Sequence, residues 1–373
     1  MLVLGIVSYK IFPARMGGQK YIEAFYRHLS RSAGIVLAVS RDNETKDISF
    51  DNAWPFLFSH RKGLFNLIYL PRLVKMIRHH RADVIIIEHS YFGWIGILLR
   101  LFTGKPFVIH SHNIETHRFK IAGKTLWQVY GWYERWVHRS ADMSFFICEE
   151  DKAWAVQNWK LNDTKSTVIT YGTDMSRSPD FNDRAIKRNE LIQKYSLNPS
   201  TTLFLFNGTL DYVPNIDSVK NIIEQLLPLL RKASFSFRIF ICGNRLPGAL
   251  ESTLRQYSEI IYTGFVENID TYFKGADAFI DPSTSGTGIK TKLVDALSNG
   301  LTVISTRSGA RGIDKNFAGE KLLIVEDENW IGFVNQMKET GKGNTTLTPA
   351  GFYDTFNWEN IVHRALLSLQ QYE

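Results

Sequence analysis

The residues from Asp281 to Gly300, DPSTSGTGIKTKLVDALSNG, combine features that suit an anionic ligand. They follow an apolar run, Ala276 to Ile280, that is typical of a buried strand. Gly286 and Gly288 predict a tight turn after this strand. From Ile289 onward the apolar residues recur with the spacing of one helix face, and the last glycine of the range is a typical helix C-cap. The sequence therefore predicts a strand, a glycine turn and a helix.

The start of this predicted helix is the part that could do chemistry. A glycine turn leading into a helix presents free backbone N–H groups and the positive end of the helix dipole. Lys290 and Lys292 add two charges that oppose the dipole, so helix stability does not explain them, and a phosphate is the simplest ligand. Asp295, about one turn further, could accept hydrogen bonds from ligand hydroxyls. The alternative is an ordinary corner with solvated lysines.

A second polar segment, HSHNIETH, follows another predicted strand and contains His110, His112, Asn113, Glu115 and His117. The two histidines in HxH spacing could bind a metal, but no HExxH pattern accompanies them. A histidine at a strand end is also often structural. We predict polar ligand handling and acid–base chemistry here, because a histidine pKa lies near neutrality, and we predict no metal site.

Two smaller segments also follow predicted strands. Gly208 and Thr209 come after the strand Thr202–Phe206 and are expected to approach the ligand, with Asp211 and Asn215 as candidate helix caps. In YTGFVENID, the backbone around Val266 could offer N–H and C=O groups to a planar base.

Strands alternate with helical patterns along most of the chain, which predicts α/β architecture with doubly wound parallel sheets. A chain of 373 residues favours two domains. We predict Rossmann-like domains at residues 1–172 and 173–350, separated by a polar, turn-rich stretch at 172–200. A C-terminal helix at 351–373 is expected to pack back on the first domain.

Two such domains are expected to face each other across a cleft. Ligands of open α/β sheets bind beyond the carboxyl ends of the strands. The loop with Gly17 and Gly18, the segment His110–Lys120 and the turn Ser283–Lys292 all follow predicted strands, so we expect all three at that cleft.

Composition limits the class of protein. Hydrophobic residues make up 44% and charged residues 22%, as in globular proteins. Cys148 and Cys242 each lie in an apolar run and are interpreted as buried thiols of a cytoplasmic protein. The most membrane-like stretch, Val84 to Phe102, is interrupted by charge and is better explained by a strand and a buried helix than by a membrane span.

The net charge of +7 is concentrated in the first half of the chain. Residues 1–170 hold 23 Lys and Arg against 14 Asp and Glu, with a basic row at Arg72, Lys75, Arg78 and Arg81. An anionic membrane surface, an acidic glycan or a nucleic acid could bind there, and a solvated basic face is the alternative. Because the basic residues are not interleaved with exposed aromatics, we expect no nucleic acid. A peripheral contact with anionic lipids is predicted.

The order and spacing of these motifs resemble the retaining, nucleotide-sugar-dependent glycosyltransferases with the GT-B fold, the glycosyl transferases group 1 family. The resemblance runs from the GG loop through HSHNIE, GTLDYVPN and YTGFVENIDTYFKGADAFIDPS to GTGIKTKLVDALSNG and STRSGARGI. It implies transfer of a sugar from a nucleoside diphosphate sugar to a glycan or lipid-linked acceptor, as in polysaccharide biosynthesis.

The resemblance also implies roles for individual residues. The base would contact the backbone near Val266, and Asp295 would bind the ribose hydroxyls. The diphosphate would meet N–H groups of Gly288 and Ile289, with Gly17 and Gly18 closing over it. His112 would lie beside the reacting sugar. The full expected set is His112, Lys292 and Asp295 as catalytic residues, and Gly17, Gly18, Gly208, Thr209, Val266, Thr287, Gly288, Ile289 and Lys290 as donor-binding residues.

Two positions depart from the family pattern. Thr287 stands where the family usually has the first of two glutamates, and Thr209 stands where many members carry an arginine. Lys290 and Lys292 are expected to replace the missing positive charge, so we predict that no metal or other cofactor is needed. The departures leave two alternatives, a nucleotide-sugar epimerase and a nucleotide- or glycan-binding protein without turnover.

Overall fold

The computed structural model describes residues 1–45, 52–233, 235–340 and 346–372. The chain forms two compact units. The first unit contains Met1–Gly172 and Trp358–Glu373, and the second contains Thr173–Asn357. Each unit has its own parallel sheet with helices between most of its successive strands. The prediction of two doubly wound α/β domains is thereby confirmed.

The sheet of the first unit has seven strands within the described residues, in the order β3-β2-β1-β4-β5-β6-β7. All of its paired strands are parallel. The strands are β1 Leu2–Val7, β2 Gly34–Ser40, β3 Ala53–Leu57, β4 Val84–Glu88, β5 Phe107–Ser111, β6 Met143–Phe146 and β7 Ser166–Val168. The helices are α1 Gly17–Leu29, α2 Leu70–His80, α3 Gly93–Thr103, α4 Glu115–Ile121, α5 Trp127–Ser140, α6 Glu149–Trp159 and α16 Trp358–Leu369.

The core of this unit explains the membrane-like stretch of the sequence. Strand β4 pairs with β1 and β5, and all five of its residues are buried. A central parallel strand is covered on both faces, so it reads as a continuous apolar run. Helix α3 then packs Ile95 and Leu99 into the same core. No helix in the described ranges combines the length and apolar character needed to cross a membrane.

The sheet of the second unit has six parallel strands in the part of the chain that the structure describes, in the order β10-β9-β8-β11-β12-β13. The strands are β8 Thr202–Asn207, β9 Phe237–Cys242, β10 Ile260–Gly264, β11 Ala278–Asp281, β12 Thr302–Thr306 and β13 Leu322–Val325. The helices are α7 Phe181–Lys194, α8 Val213–Asn221, α9 Leu227–Lys232, α10 Gly248–Leu254, α11 Asp270–Gly275, α12 Thr291–Ser298, α13 Lys315–Ala318, α14 Trp330–Thr340 and α15 Ala350–Phe356. A π-helical turn, Ile222–Leu226, joins α8 to α9.

The stretch 172–200, interpreted from its polarity as an interdomain segment, contains the 14-residue helix α7. Asp180 caps this helix by accepting a hydrogen bond from the Asp183 N–H at 2.7 Å. Arg184 donates to the backbone carbonyls of Lys274, Ala276 and Gly300, which anchors α7 to the second unit. Only Leu191 and Ile192 of the helix are buried, so its apolar periodicity is too weak to mark it in the sequence.

Two further expectations need correction. The sequence from Leu64 to His80 has a helical pattern, which predicts one helix, but residues up to Tyr69 form a 3-10 segment. Helix α2 starts at Leu70, where Pro71 occupies the first turn without needing a backbone donor. Gly17 and Gly18 were expected in a loop, but they are the first two residues of α1. Their N–H groups therefore belong to the open end of a helix.

The stretch 351–373, for which one helix was predicted, holds the end of α15 and all of α16. Asn357 separates the two helices with an extended backbone (φ −71°, ψ 133°). Helix α16 belongs to the first unit, where it contacts α1 and buries Trp358 against Tyr21 with ring centroids 5.8 Å apart.

Candidate functional site

The glycine turn of the second unit has the backbone geometry that its sequence predicts. Gly286 has φ of 114° and Gly288 has φ of 66°, in the region that favours glycine. Helix α12 begins at Thr291, with Lys290 as the N-cap residue in an extended conformation. The helix therefore starts two residues later than the apolar spacing indicated, and Thr287, Gly288 and Ile289 form the end of the turn. We call residues 282–291 the glycine turn.

Lys290 lies across this turn. A Cβ added to Gly286 would collide with the Lys290 ammonium, so the missing side chain of Gly286 makes room for the lysine. The pKa of Lys290 is lowered to about 8, mainly by burial. The negative charge of Asp281 raises this pKa, whereas the positive charges of Lys292 and Arg311 lower it further. Among the residues that the structure describes, no carboxylate lies within ion-pair distance of Lys290. A desolvated ammonium in this position is suited to an anionic ligand.

Lys292 lies in a different environment. Its Nζ is 2.8 Å from Asp281 Oδ1, donates to Asn215 Oδ1 at 3.2 Å and lies 4.3 Å from the ring centroid of Phe206. Asp281, the last residue of β11, is completely buried. The charge of Lys292 is therefore balanced inside the protein, and a role in holding the turn follows directly from these contacts.

Residues that follow strand β8 are connected to Lys292 by hydrogen bonds. Asn215 Nδ2 donates to the Thr209 carbonyl at 3.0 Å, which connects the residues after β8 to Lys292. Gly208 has no room for a Cβ because Asn215 lies against it. Asn215 and Asp211 were expected to cap a helix, but Tyr212 is the N-cap of α8. Asp211 instead pairs with Arg245 at 3.0 Å.

The other predicted residues of the second unit differ in exposure. Thr287, Gly288 and Ile289 are buried, whereas Asp295 on α12 is partly exposed. Val266 follows the edge strand β10 and is also partly exposed. Val266 lines a cavity of about 450 Å³ together with Lys194, Tyr195, Tyr272 and other residues.

In the first unit, a buried carboxylate organises the predicted histidines. Glu88 ends β4, fully buried, and its Oε1 accepts a hydrogen bond from the Tyr26 hydroxyl at 2.8 Å. His110 Nδ1 lies 3.0 Å from Glu88 Oε1, and His112 Nε2 lies 2.7 Å from Oε2. The Tyr21 hydroxyl is 2.6 Å from the other nitrogen of His110. Burial raises the pKa of Glu88, but the two histidines outweigh it and the net shift is downward.

His112 is held from a second side by His89. The two rings are stacked with centroids 4.2 Å apart, and His89 adopts an unusual positive φ of 65°. His89 Nδ1 lies 3.4 Å from Glu115 Oε1, and Arg118 Nε lies 2.6 Å from Glu115 Oε2. Burial lowers the pKa of His112, an effect that Glu88 partly offsets. A neutral imidazole fixed by a carboxylate can exchange a proton or bind a hydroxyl.

The same three residues have the composition of a metal site. Ligand atoms of Glu88, His110 and His112 all lie within 4.8 Å of one another. However, the Glu88 oxygens already accept hydrogen bonds from both histidines and from Tyr26. This arrangement explains the cluster as a hydrogen-bonded network, and the absence of a metal requirement stays a prediction.

A second buried carboxylate fixes the start of α4, the helix that begins at Glu115. Glu134 of α5 accepts hydrogen bonds from the N–H groups of Glu115 and Thr116, each at 2.9 Å, and from the Ser90 hydroxyl at 3.0 Å. Burial raises the pKa of Glu134 to about 7, although the hydrogen bonds from Thr116 and Glu115 act to lower it. The carboxylate serves as a cap supplied by another helix.

The glycines of the first unit lie at the start of α1. Gly17 is partly exposed and Gly18 is exposed, with open space where a Cβ of Gly18 would be. One turn further, Tyr21 contacts His110 and His112. The predicted residues of the first unit are thus connected through α1.

Comparison with known families identifies both halves of the chain. Residues 201–340 match the model described as glycosyl transferases group 1, and residues 17–177 match the model described as glycosyltransferase family 4. The chain carries glycosyltransferase domains. The match in the second half contains the glycine turn, and the match in the first half contains the histidine network.

Solved structures of glycosyltransferases share this fold over the whole chain. Sucrose-phosphate synthase from Thermosynechococcus elongatus has a TM-score of 0.73 at 15% identity, covering 100% of this chain and 99% of that one. HepE of Anabaena in complex with UDP and glucose has a TM-score of 0.68 at 13% identity, covering 99% and 97%. WaaG, a glycosyltransferase involved in lipopolysaccharide biosynthesis, has a TM-score of 0.62 at 15% identity, covering 97% and 95%. The predicted GT-B fold class is confirmed.

A protein of Klebsiella pneumoniae, described as an uncharacterized 44.6 kDa protein in cps region, is 30% identical over 144 residues. The match spans 36% of this chain and 36% of that protein's length. It supports a relationship over one segment.

Several residues of these sites were not predicted to take part, among them Glu88, Asp281 and Asn215. Glu88 carried a signal, since a carboxylate ended an otherwise apolar strand. Asp281 carried the same signal at the end of β11. The link made by Asn215 had no signal, because its partners Thr209 and Lys292 are distant in sequence from each other.

Proposed function

We propose that this chain is a retaining glycosyltransferase of the hexosyltransferase type. It would transfer a sugar from a nucleoside diphosphate sugar to a glycan or lipid-linked acceptor in polysaccharide biosynthesis. The matches of both halves to glycosyltransferase families support this proposal. The crystallised complex of HepE with UDP and glucose, a protein of the same fold, is consistent with a nucleotide-sugar donor.

The observation that carries the proposal is the desolvated ammonium of Lys290 beside two glycines with positive φ. The leaving group of the reaction is a nucleoside diphosphate, on which negative charge develops. Fixed N–H groups of Gly288 and Ile289 in the glycine turn just before α12, together with Lys290, would stabilise that charge without reorganisation. Lysine and the helix dipole would supply the positive charge that stabilises the leaving diphosphate, so we expect the reaction to need no metal.

The remaining residues take roles that follow from their chemistry. Asp295 would accept hydrogen bonds from the ribose, and the backbone at Val266 would contact the base. His112, neutral and oriented by Glu88, is assigned to the hydroxyl groups and proton movement at the transferred sugar. Lys292 is assigned to positioning, because Asp281 already balances its charge.

The donor-binding roles of Gly17, Gly18, Gly208 and Thr209 are part of the same proposal. We propose a cytoplasmic location, with which the buried thiols of Cys148 and Cys242, neither of them in a disulfide, are consistent. We expect the acceptor to be a glycan or a lipid-linked sugar.

Calorimetry with UDP and GDP tests the proposal. We expect one of these nucleotides to bind, and Lys290→Gln to weaken that binding at least about tenfold, equivalent to about 1.4 kcal/mol. Lys220→Gln is the matched control, since Lys220 is an exposed lysine on α8. Failure of every nucleoside diphosphate to bind, or equal losses in both variants, would contradict the proposal.

Product analysis separates the remaining activities. A glycosyltransferase should consume its donor only when an acceptor is added, for example in membrane extract. Rapid epimerisation or hydrolysis of the donor alone would indicate the epimerase class. Tight nucleotide binding without turnover under either condition would indicate a binding protein.

A further inference from the structure

Helix α5 presents an exposed apolar stripe to solvent. The exposed apolar side chains of this helix and the residues before it are Ile121 (61% exposed), Leu126 (70%), Val129 (64%), Trp132 (70%) and Trp136 (42%). Val129, Trp132 and Trp136 are three and four residues apart, so they share one side of the helix. We call these five side chains the α5 face. Large apolar side chains grouped on one surface mark an interaction site.

The opposite side of α5 already has a structural role. Glu134, Val137 and His138 are buried against the rest of the first unit. The α5 face is therefore not an unfilled part of the core. Trp132 and Trp136 project from a helix whose opposite side is already buried.

The exposed charges of this segment are basic. Residues 115–140 contain five basic residues, Arg118, Lys120, Lys124, Arg135 and Arg139, and two acidic residues. Glu115 is buried and pairs with Arg118 at 2.6 Å, and Glu134 is fully buried and caps α4. Arg139 is exposed and lies one turn after Trp136, and exposed Lys124 precedes the helix. The solvent-facing part of this segment is therefore both aromatic and positively charged.

We propose that the α5 face docks the first unit onto an anionic lipid bilayer. Tryptophan and aliphatic side chains partition into the interfacial region of a bilayer, while flanking lysine and arginine bind anionic headgroups. A second copy of the chain fits less well, because a symmetric contact would place the exposed basic residues of one copy opposite those of the other. Docking does not depend on the proposed function, although it would place a lipid-linked acceptor close to the enzyme.

The sequence predicted a membrane contact at the basic row on α2, where Arg72, Lys75 and Arg78 are exposed. However, Arg72 lies over the Phe56 ring at 4.0 Å and Arg78 donates to the Phe102 carbonyl at 3.2 Å. The segment directly before α2 is also apolar and exposed, with Leu64 at 72%, Phe65 at 63%, Leu67 at 53% and Ile68 at 63%. Both regions therefore combine basic and apolar groups, and the α5 face adds the exposed tryptophans that are typical of a bilayer interface.

Vesicle flotation tests the proposal with the full chain. The two lipid samples are phosphatidylcholine alone and phosphatidylcholine with about a third phosphatidylglycerol. We expect flotation with the anionic vesicles, weaker binding at high salt and little binding to the neutral vesicles. The variant Val129→Ser/Trp132→Ser should lower the bound fraction about fivefold or more, since it removes most of the inserted apolar surface. Lys124→Glu/Arg139→Glu should abolish the preference for anionic lipid.

The matched control is Ile331→Ser/Lys338→Glu. Ile331 is 67% exposed on α14 of the second unit, and Lys338 is exposed on the same helix. This variant should bind vesicles like the unmodified chain. Equal binding by the α5-face variants, equal loss in the control, or no vesicle binding at all would overturn the proposal.

Two further measurements interpret these outcomes. Light scattering that shows a dimer broken by Val129→Ser/Trp132→Ser would assign the face to a second copy and overturn lipid docking. Nucleotide affinity should be unchanged in the α5-face variants, because they do not touch the glycine turn. The membrane proposal and the glycosyltransferase proposal can therefore fail independently.

Discussion

At the scale of single residues, two lysines two positions apart have different physical roles. Lys292 is paired with buried Asp281 at 2.8 Å, whereas Lys290 lies over Gly286 without an ion-pair partner among the described residues. The sequence predicted that both lysines replace missing positive charge, with Lys292 among the catalytic residues and Lys290 among the donor-binding residues. In the structure the contacts of Lys292 hold β11, α8 and α12 together, and the ligand role of Lys290 stays a proposal.

The lowered pKa of Lys290 predicts a pH-dependent affinity. Burial depresses this pKa to about 8 in the free protein, and a bound diphosphate would favour the charged form. Above pH 8, binding must therefore include uptake of a proton, so affinity should fall as pH rises, by at most about tenfold per pH unit. Calorimetry with the bound nucleotide at about pH 7 and about pH 9 measures this effect.

Lys290→Gln is the control for that measurement, because glutamine has no titrating ammonium. Its weaker binding should change little over the same range. A pH dependence equal to that of the unmodified chain would show that another group is responsible.

At the scale of elements, short helices are positioned by polar groups from other elements. Helix α4 starts on the carboxylate of Glu134, which belongs to α5. Helix α7 is anchored by Arg184 and by the pair Arg188–Asp277 at 2.7 Å. Such elements have little apolar periodicity of their own, so their place depends on partners distant in sequence.

Glu134→Ala should destabilise the first unit by about 2–4 kcal/mol, because it leaves two buried N–H groups without an acceptor. Urea unfolding followed by circular dichroism measures the change. Gln128→Ala is the control, since Gln128 is an exposed residue of the same helix and its loss should cost at most about 0.5 kcal/mol. A Glu134 variant as stable as the control would show that the cap contributes little.

At the scale of the whole molecule, the chain returns to its first unit at the end. Residues Trp358–Glu373 belong with Met1–Gly172, although they follow the second unit in sequence. Trp358 is 3% exposed and stacks on His28 with centroids 5.8 Å apart. The stability of the first unit therefore depends on residues that follow the second unit in sequence.

Trp358→Ala should lower the free energy of unfolding by about 3–5 kcal/mol, because it removes a buried indole between α16 and α1. Leu367→Ala is the matched change on the same helix, and at 52% exposure it should cost much less. Thermal unfolding of both full-length variants measures the difference. Similar midpoints for the two variants would mean that α16 contributes little to the core.

Strands and turns were the elements that the sequence predicted best. Apolar runs such as Val84–Ile87 and the glycines at 286 and 288 have local causes, namely burial on both faces and positive φ. Helix starts were less well predicted, as at Thr291 and Leu70. They depend on which N–H groups find acceptors elsewhere in the fold.

By itself the sequence determined the two α/β units, the glycine turn and the presence of polar residues where strands end. These features depend on neighbouring residues, through apolar periodicity and backbone preference. Only the folded chain shows that Glu88 orients two histidines, that Asp281 balances the charge of Lys292, and that Lys290 has no carboxylate within ion-pair distance among the described residues. Those outcomes depend on distances between side chains from different strands, and on burial, which sets the strength of each charge.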